Sequence, residues 1–77
     1  MTAALAAQAA YKQVDKEASR MRDRARARLG RTVLTERKAQ GKTQDDAAAE
    51  LKVVVEQVRR YEAAWRQWQK DHPDLEP

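Results

Sequence analysis

The stretch Ala49–Trp68, "AELKVVVEQVRRYEAAWRQW", admits two readings, and the fold follows from the choice between them. As one helix, Leu51, Val54, Val58, Tyr61, Trp65, Trp68, His72 and Leu75 fall three and four residues apart, the spacing of a coiled-coil seam. No glycine or proline interrupts that run before Pro73. Against it stand His72 and Tyr61, poor seam residues, and three adjacent valines, whose branched side chains lower helix propensity. As two helices with a turn at Lys52-Val53, the stretch becomes a steep crossing that needs a small residue at the contact and apolar residues on the facing sides. Ala48 supplies the first, and Leu51, Val53 and Val58 supply the second.

The residues just upstream favour the crossing. In "GKTQDDAAAELK", Thr43 is an N-cap, and Asp45 and Asp46 place negative charge in the first turn, where it suits the helix dipole. Gly41 can take the left-handed conformation that ends the helix before it. The third helix is therefore expected to run to about Leu51.

Across Thr43–Glu62, "TQDDAAAELKVVVEQVRRYE" resembles, without gaps, the helix-turn-helix of the Cro and phage-repressor (Xre-like) family. Thr43 and Gln44 match that family's opening pair, Ala48 its small crossing residue, and Leu51 the last core position before the turn. Val53 matches the turn valine, Val58 the buried branched residue of the second helix, and Tyr61-Glu62 the closing aromatic-acid pair. "RRYE", Arg59–Glu62, also looks like the end of the recognition helix in MerR-type regulators, although "AAWRQWQKDHPD" continues the helix where their wing would follow. Two positions depart from the pattern. Lys52 replaces the turn glycine, at a cost of about 1–2 kcal/mol for a left-handed backbone. Val54 replaces the serine cap and can accept no hydrogen bond from the exposed amides.

The resemblance implies double-stranded DNA as partner, read in the major groove by a helix from Val54 to about Lys70. Gln57 would read adenine, Arg60 guanine, Glu56 cytosine and Val55 a thymine methyl. Gln44, Arg59, Lys42 and Lys52 would meet phosphates. Such units act as dimers on half-sites one helical turn apart.

Outward from this core, the N-terminal segment from Thr2 to Leu29 reads as a long helix, with Tyr11, Val14, Ala18, Met21 and Ala25 at spacings of three and four. Gly30 either breaks it or sits inside it; Arg31–Gln40 follows with Val33 and Leu34. From Arg20 to Arg31, "RMRDRARARLGR" carries six arginines against Asp23 alone. On a helix Arg20, Arg24, Arg28 and Arg31 share one face, which needs an anion or an acidic neighbour and suggests non-specific phosphate contacts. Downstream of Arg31 the charges nearly balance.

The chain has 77 residues, no cysteine and no phenylalanine, and much of its 42% hydrophobic content is alanine. A core this thin is marginal for a monomer, so a second subunit or a partner is expected to complete it. "MTAALAAQAA" is too short to span a bilayer and lacks a charged start, so the expected location is cytoplasmic, with no membrane partner. No catalytic constellation, phosphate-cradling loop, metal-ligand spacing or cofactor motif is present, and His72 lies beside Pro73 in the tail; the protein is expected not to be an enzyme.

The expected architecture is all-α: a long Ala/Arg-rich helix over residues 1–30 that could serve as a dimerisation arm, a helix-turn-helix with extended recognition helix over 31–70, and a frayed tail over 71–77. The expected function is a homodimeric, sequence-specific DNA-binding protein of the transcription-regulator kind. Trp65 and Trp68 would anchor the N-terminal helix, a second subunit or another protein. The alternative is a helical-hairpin or coiled-coil protein that binds a protein partner and no DNA, and a third is an arginine-rich helix that binds RNA.

Overall fold

A computed structural model describes residues 1–14 and 19–77 of the chain, and all regular structure among them is helical. The helices are α1 (Thr2–Val14), α2 (Ser19–Ala39), α3 (Gln44–Leu51) and α4 (Val55–Asp71). The fold is all-α, as expected.

The single helix expected through Leu29 is not formed. α1 and α2 lie side by side and antiparallel: the backbone amides of Ala3 and Ala4 donate to the Glu36 carboxylate at 3.3 and 2.6 Å, while the Tyr11 hydroxyl accepts from Arg26 at 2.9 Å. α1 has no acidic residue in its own first turn, so Glu36 of α2 takes its free amides. This arrangement brings Tyr11 against Tyr61 of α4, edge to face at 6.0 Å, which an unbroken helix could not do. The expected core position Ala18 lies outside the described residues, and Met21 is exposed rather than inward.

Gly30 does not break α2. It lies where α2 and α4 cross: a Cβ built there would come within 1.8 Å of the Tyr61 carbonyl oxygen and 3.1 Å of the Trp65 Cβ. Glycine in mid-helix costs about 1 kcal/mol relative to alanine, and here that cost permits backbone contact. α2 ends at Ala39 and is closed by Gly41, φ 65°, with Gly41 N–H donating to Lys38 O and Lys42 N–H to Arg37 O at 2.7 Å.

The core unites all four helices: Ala4 and Tyr11, Leu29 and Val33, Ala47, Ala48 and Leu51, and Val58 and Tyr61, with Val53 and Val55 packed against them. α4 runs antiparallel to α2, since Glu62 meets Arg37, Tyr61 meets Gly30 and Trp65 lies under Arg31.

The tail expected to fray is folded back. The Trp68 indole N–H donates to Leu75 O at 2.8 Å, and Pro77 is buried, its carbonyl oxygen accepting from Arg24 at 2.9 Å and from Arg28 at 2.6 Å. Like charges crowded on one helix face are relieved by an acceptor oxygen, and the tail provides it.

Candidate nucleic-acid interface

α3 begins in a reciprocal cap. The Thr43 hydroxyl accepts from Asp46 N–H at 3.2 Å and the Asp46 carboxylate accepts from Thr43 N–H at 3.0 Å. The Thr43 backbone N–H first, and then the Thr43 side chain, hold the Asp46 carboxyl below its ordinary value. α3 ends after two turns at Lys52, φ 59° and ψ 44°, the one non-glycine residue of positive φ among those described. Lys52 N–H donates to Ala49 O and Val53 N–H to Ala48 O, closing a left-handed cap. Val54, extended at φ −74° and ψ 153°, starts α4 with no side-chain cap. The continuous seam from Leu51 to Leu75 is thereby broken, and the stretch is two helices.

The crossing is locked by a buried ion pair. Glu62, fully buried, accepts from Arg37 Nε at 2.7 Å and Nη2 at 2.8 Å, and from the Gln44 amide at 3.1 Å. Burial works against its charge, but the Arg37 fork, the Gln44 amide and the nearby Arg66 outweigh it and hold the Glu62 carboxyl below the ordinary glutamate value. Hydrogen bonding to Glu62 in turn raises the Arg37 guanidinium. One carboxylate thus ties α2, α3 and α4 together. Glu62 is visible in the sequence as half of the Tyr-Glu pair; Arg37, 25 residues away, carries no local signal of its role.

The expected base-reading residues fare unequally. Glu56, Arg59 and Arg60 stand exposed on the first turns of α4, with Arg59 3.5 Å and Arg60 4.0 Å from the Glu56 carboxylate. Contacts this exposed hold little energy and give way easily. Gln57 is half-buried beside them. Val55, expected to reach a thymine methyl, turns inward against the core, and Val54 is the valine left outside, 71% exposed. Val54 is the extended residue before the helix and Val55 the first residue within it, so their side chains leave the chain in different directions.

The expected phosphate contacts also divide. Lys52 is exposed at the turn. Gln44 instead gives its amide to Glu62, and Lys42 pairs with Glu50 at 2.6 Å, which holds the Glu50 carboxyl low. The arginine face is answered from within: Arg24 and Arg28 by the Pro77 oxygen, Arg31 by Glu76 at 3.6 Å and by the Trp65 ring at 5.5 Å. Arg20 is exposed and lines a cleft of about 780 Å³ with Asp23, Gln67, Trp68 and Asp71. All four arginines sit beside the middle and far end of α4, so they do not flank its first turns.

Trp65 and Trp68, expected at an interface, are half-buried under their own chain. Trp65 lies beneath Arg31, and Trp68 stacks on His72 at 4.1 Å. Among the described residues no group of three or more His, Cys, Asp or Glu side chains is placed to hold a metal ion, and no helix is long and apolar enough to cross a membrane. The chain matches no protein-family model, no curated protein and no solved structure.

Proposed function

We propose that this chain binds double-stranded DNA sequence-specifically, as a homodimer of the transcription-regulator kind, with the first turns of α4 in the major groove. One observation carries the reading. The left-handed Lys52 turns the chain into α4 so that Val54, Glu56, Arg59 and Arg60 are exposed at its start, with Gln57 half-buried beside them. A helix start that combines a guanidinium, an amide, a carboxylate and an apolar methyl pair holds the groups that distinguish base edges. The Arg37–Glu62–Gln44 lock and the Gly30 crossing keep that start rigid against α2 and α3, which reading at hydrogen-bond precision demands. Phosphate contacts on this reading fall to Lys52 and Arg59.

The protein-partner reading rests on the seam from Leu51 to Leu75, the nearly balanced charge downstream of Arg31 and the two departures at the turn; of these, the seam is interrupted at Lys52. The test is selection from a random duplex pool at low and moderate salt, followed by sequencing. A palindromic motif is expected, with half-sites about one helical turn apart. Gln57→Ala and Arg60→Ala should each relax it at one position, costing about 1–3 kcal/mol of discrimination there. Retention without enrichment, lost steeply with salt, would sink the reading.

A further inference from the structure

Gln8 is a buried polar residue on an otherwise apolar face. It sits between Ala4 and Tyr11 on the inner side of α1, 5% exposed, and its side-chain amide donates to the backbone carbonyl of Leu51 at 3.2 Å, across 43 residues of chain. Leu51 is the last residue of α3. Its carbonyl oxygen belongs to the same rigid peptide plane as the N–H of Lys52. That N–H is already held by the carbonyls of Ala48 and Ala49. The Leu51–Lys52 peptide plane is therefore gripped at both ends, by α3 on one side and by α1 on the other.

We infer that Gln8 is a positioning residue for the start of α4: by fixing the Leu51–Lys52 peptide plane it sets the direction in which the chain leaves the left-handed Lys52. Rotation of this plane changes the dihedral angles on either side of it and swings everything beyond the turn. Lys52 has no glycine's freedom to hold the left-handed state unaided, and Val54 adds no cap on the far side. A leucine or methionine would fill the same space between Ala4 and Tyr11 without the cost of burying an amide. The carbonyl of Leu51 is what repays it. For function this inference rests on the DNA reading above; for structure it does not.

The test is residue-resolved amide exchange on the free full chain, comparing wild type with Gln8→Met, which keeps the side-chain length and loses the donor. Gln8→Asn, which keeps the amide and falls one methylene short, serves as a second variant. The amides of Lys52, Val53 and Gln57 should exchange about tenfold faster in both variants, the size of one lost hydrogen bond. Those at the Gly30–Tyr61 crossing should keep their wild-type protection. Acceleration spread evenly over the molecule, or unchanged protection at the turn, would overturn the assignment and make Gln8 an ordinary core residue. The same variants, carried through duplex binding, should lose discrimination between the selected and a scrambled duplex while retaining salt-sensitive binding to both. A loosened turn with undiminished discrimination would overturn the link to reading. A wild type that selects no duplex would instead remove the DNA reading and leave the exchange result to judge the turn.

Discussion

At the scale of single residues, two positions hold more of the fold than their size suggests. Gly30 is the sharper case because two effects oppose each other there. Alanine would favour helix by about 1 kcal/mol. Its methyl, however, would lie 1.8 Å from a backbone oxygen and 2.6 Å from a backbone carbon of Tyr61, neither of which can rotate away. Separation of α2 and α4 must follow, and overpacking of this kind costs about 3 kcal/mol or more. Gly30→Ala should lower the melting temperature by roughly 10 °C or more for a domain this small; an unchanged or raised midpoint would refute the close crossing. Glu62 is the other. Its side chain is fully buried, and Arg37 beside it is only 15% exposed. Glu62→Gln leaves a guanidinium without its charge partner, at a cost of about 3–5 kcal/mol, measurable by urea denaturation.

At the scale of elements, the α3–α4 turn is held together despite its sequence. Lys52 occupies a left-handed backbone that glycine takes without steric cost, and Val54 starts a helix without an acceptor side chain. Lys52→Gly should stabilise the fold by about 0.5–1 kcal/mol, less than the full steric gain because glycine also loosens the unfolded chain. Val54→Ser should add about 1 kcal/mol. The two sites are near neighbours, so the double variant need not show the sum. Destabilisation by both single changes would mean that the turn geometry is wrong. This turn was legible in the sequence: the Thr43 cap, Ala48, Leu51 and Val58 specify it through local spacing. The close of α2 just before Gly41 and the opening of α4 just after Val54 were legible for the same reason. Gly30 was not, because a glycine that breaks a helix and one that admits a neighbouring backbone look identical along the chain. Nor was the inward turn of Val55, which depends on the angle at which α4 leaves Val54.

At the scale of the whole molecule, charge governs how the fold responds to acid. The carboxyls of Glu62, Glu50 and Asp46 all lie below their ordinary values of 4.5, 4.5 and 3.8 in the folded chain. The folded state therefore releases these protons more readily than the unfolded chain does. Their stabilisation is complete above the ordinary carboxylate range and is lost as pH falls through the lower folded values. Thermal midpoints should be flat near neutrality and drop below about pH 4.5, as the Arg37 fork on Glu62, the Lys42 bond to Glu50 and the Thr43 bonds to Asp46 lose their carboxylates. In Glu62→Gln the acid slope should be shallower; an identical slope would mean that the Arg37 pair does not carry it. What the sequence withheld at this scale is all long-range: the return of α1 onto α2, the reach of Arg37 to Glu62 and the docking of the tail on Arg24 and Arg28. None of these leaves a periodic trace, since each joins residues that are distant in the chain. The Gly30 crossing has a mechanical consequence as well. α4, 17 residues and about 26 Å long, touches α2 backbone to backbone near its middle, at Tyr61, as a beam rests on a fulcrum. One arm carries Val55 to Arg60, and the other carries Trp68 and the tail seated on the arginines. Val58, Glu62 and Trp65 hold α4 on either side of that contact, so neither arm can tilt about it without breaking the core packing, the Arg37 pair or the Arg31 contact.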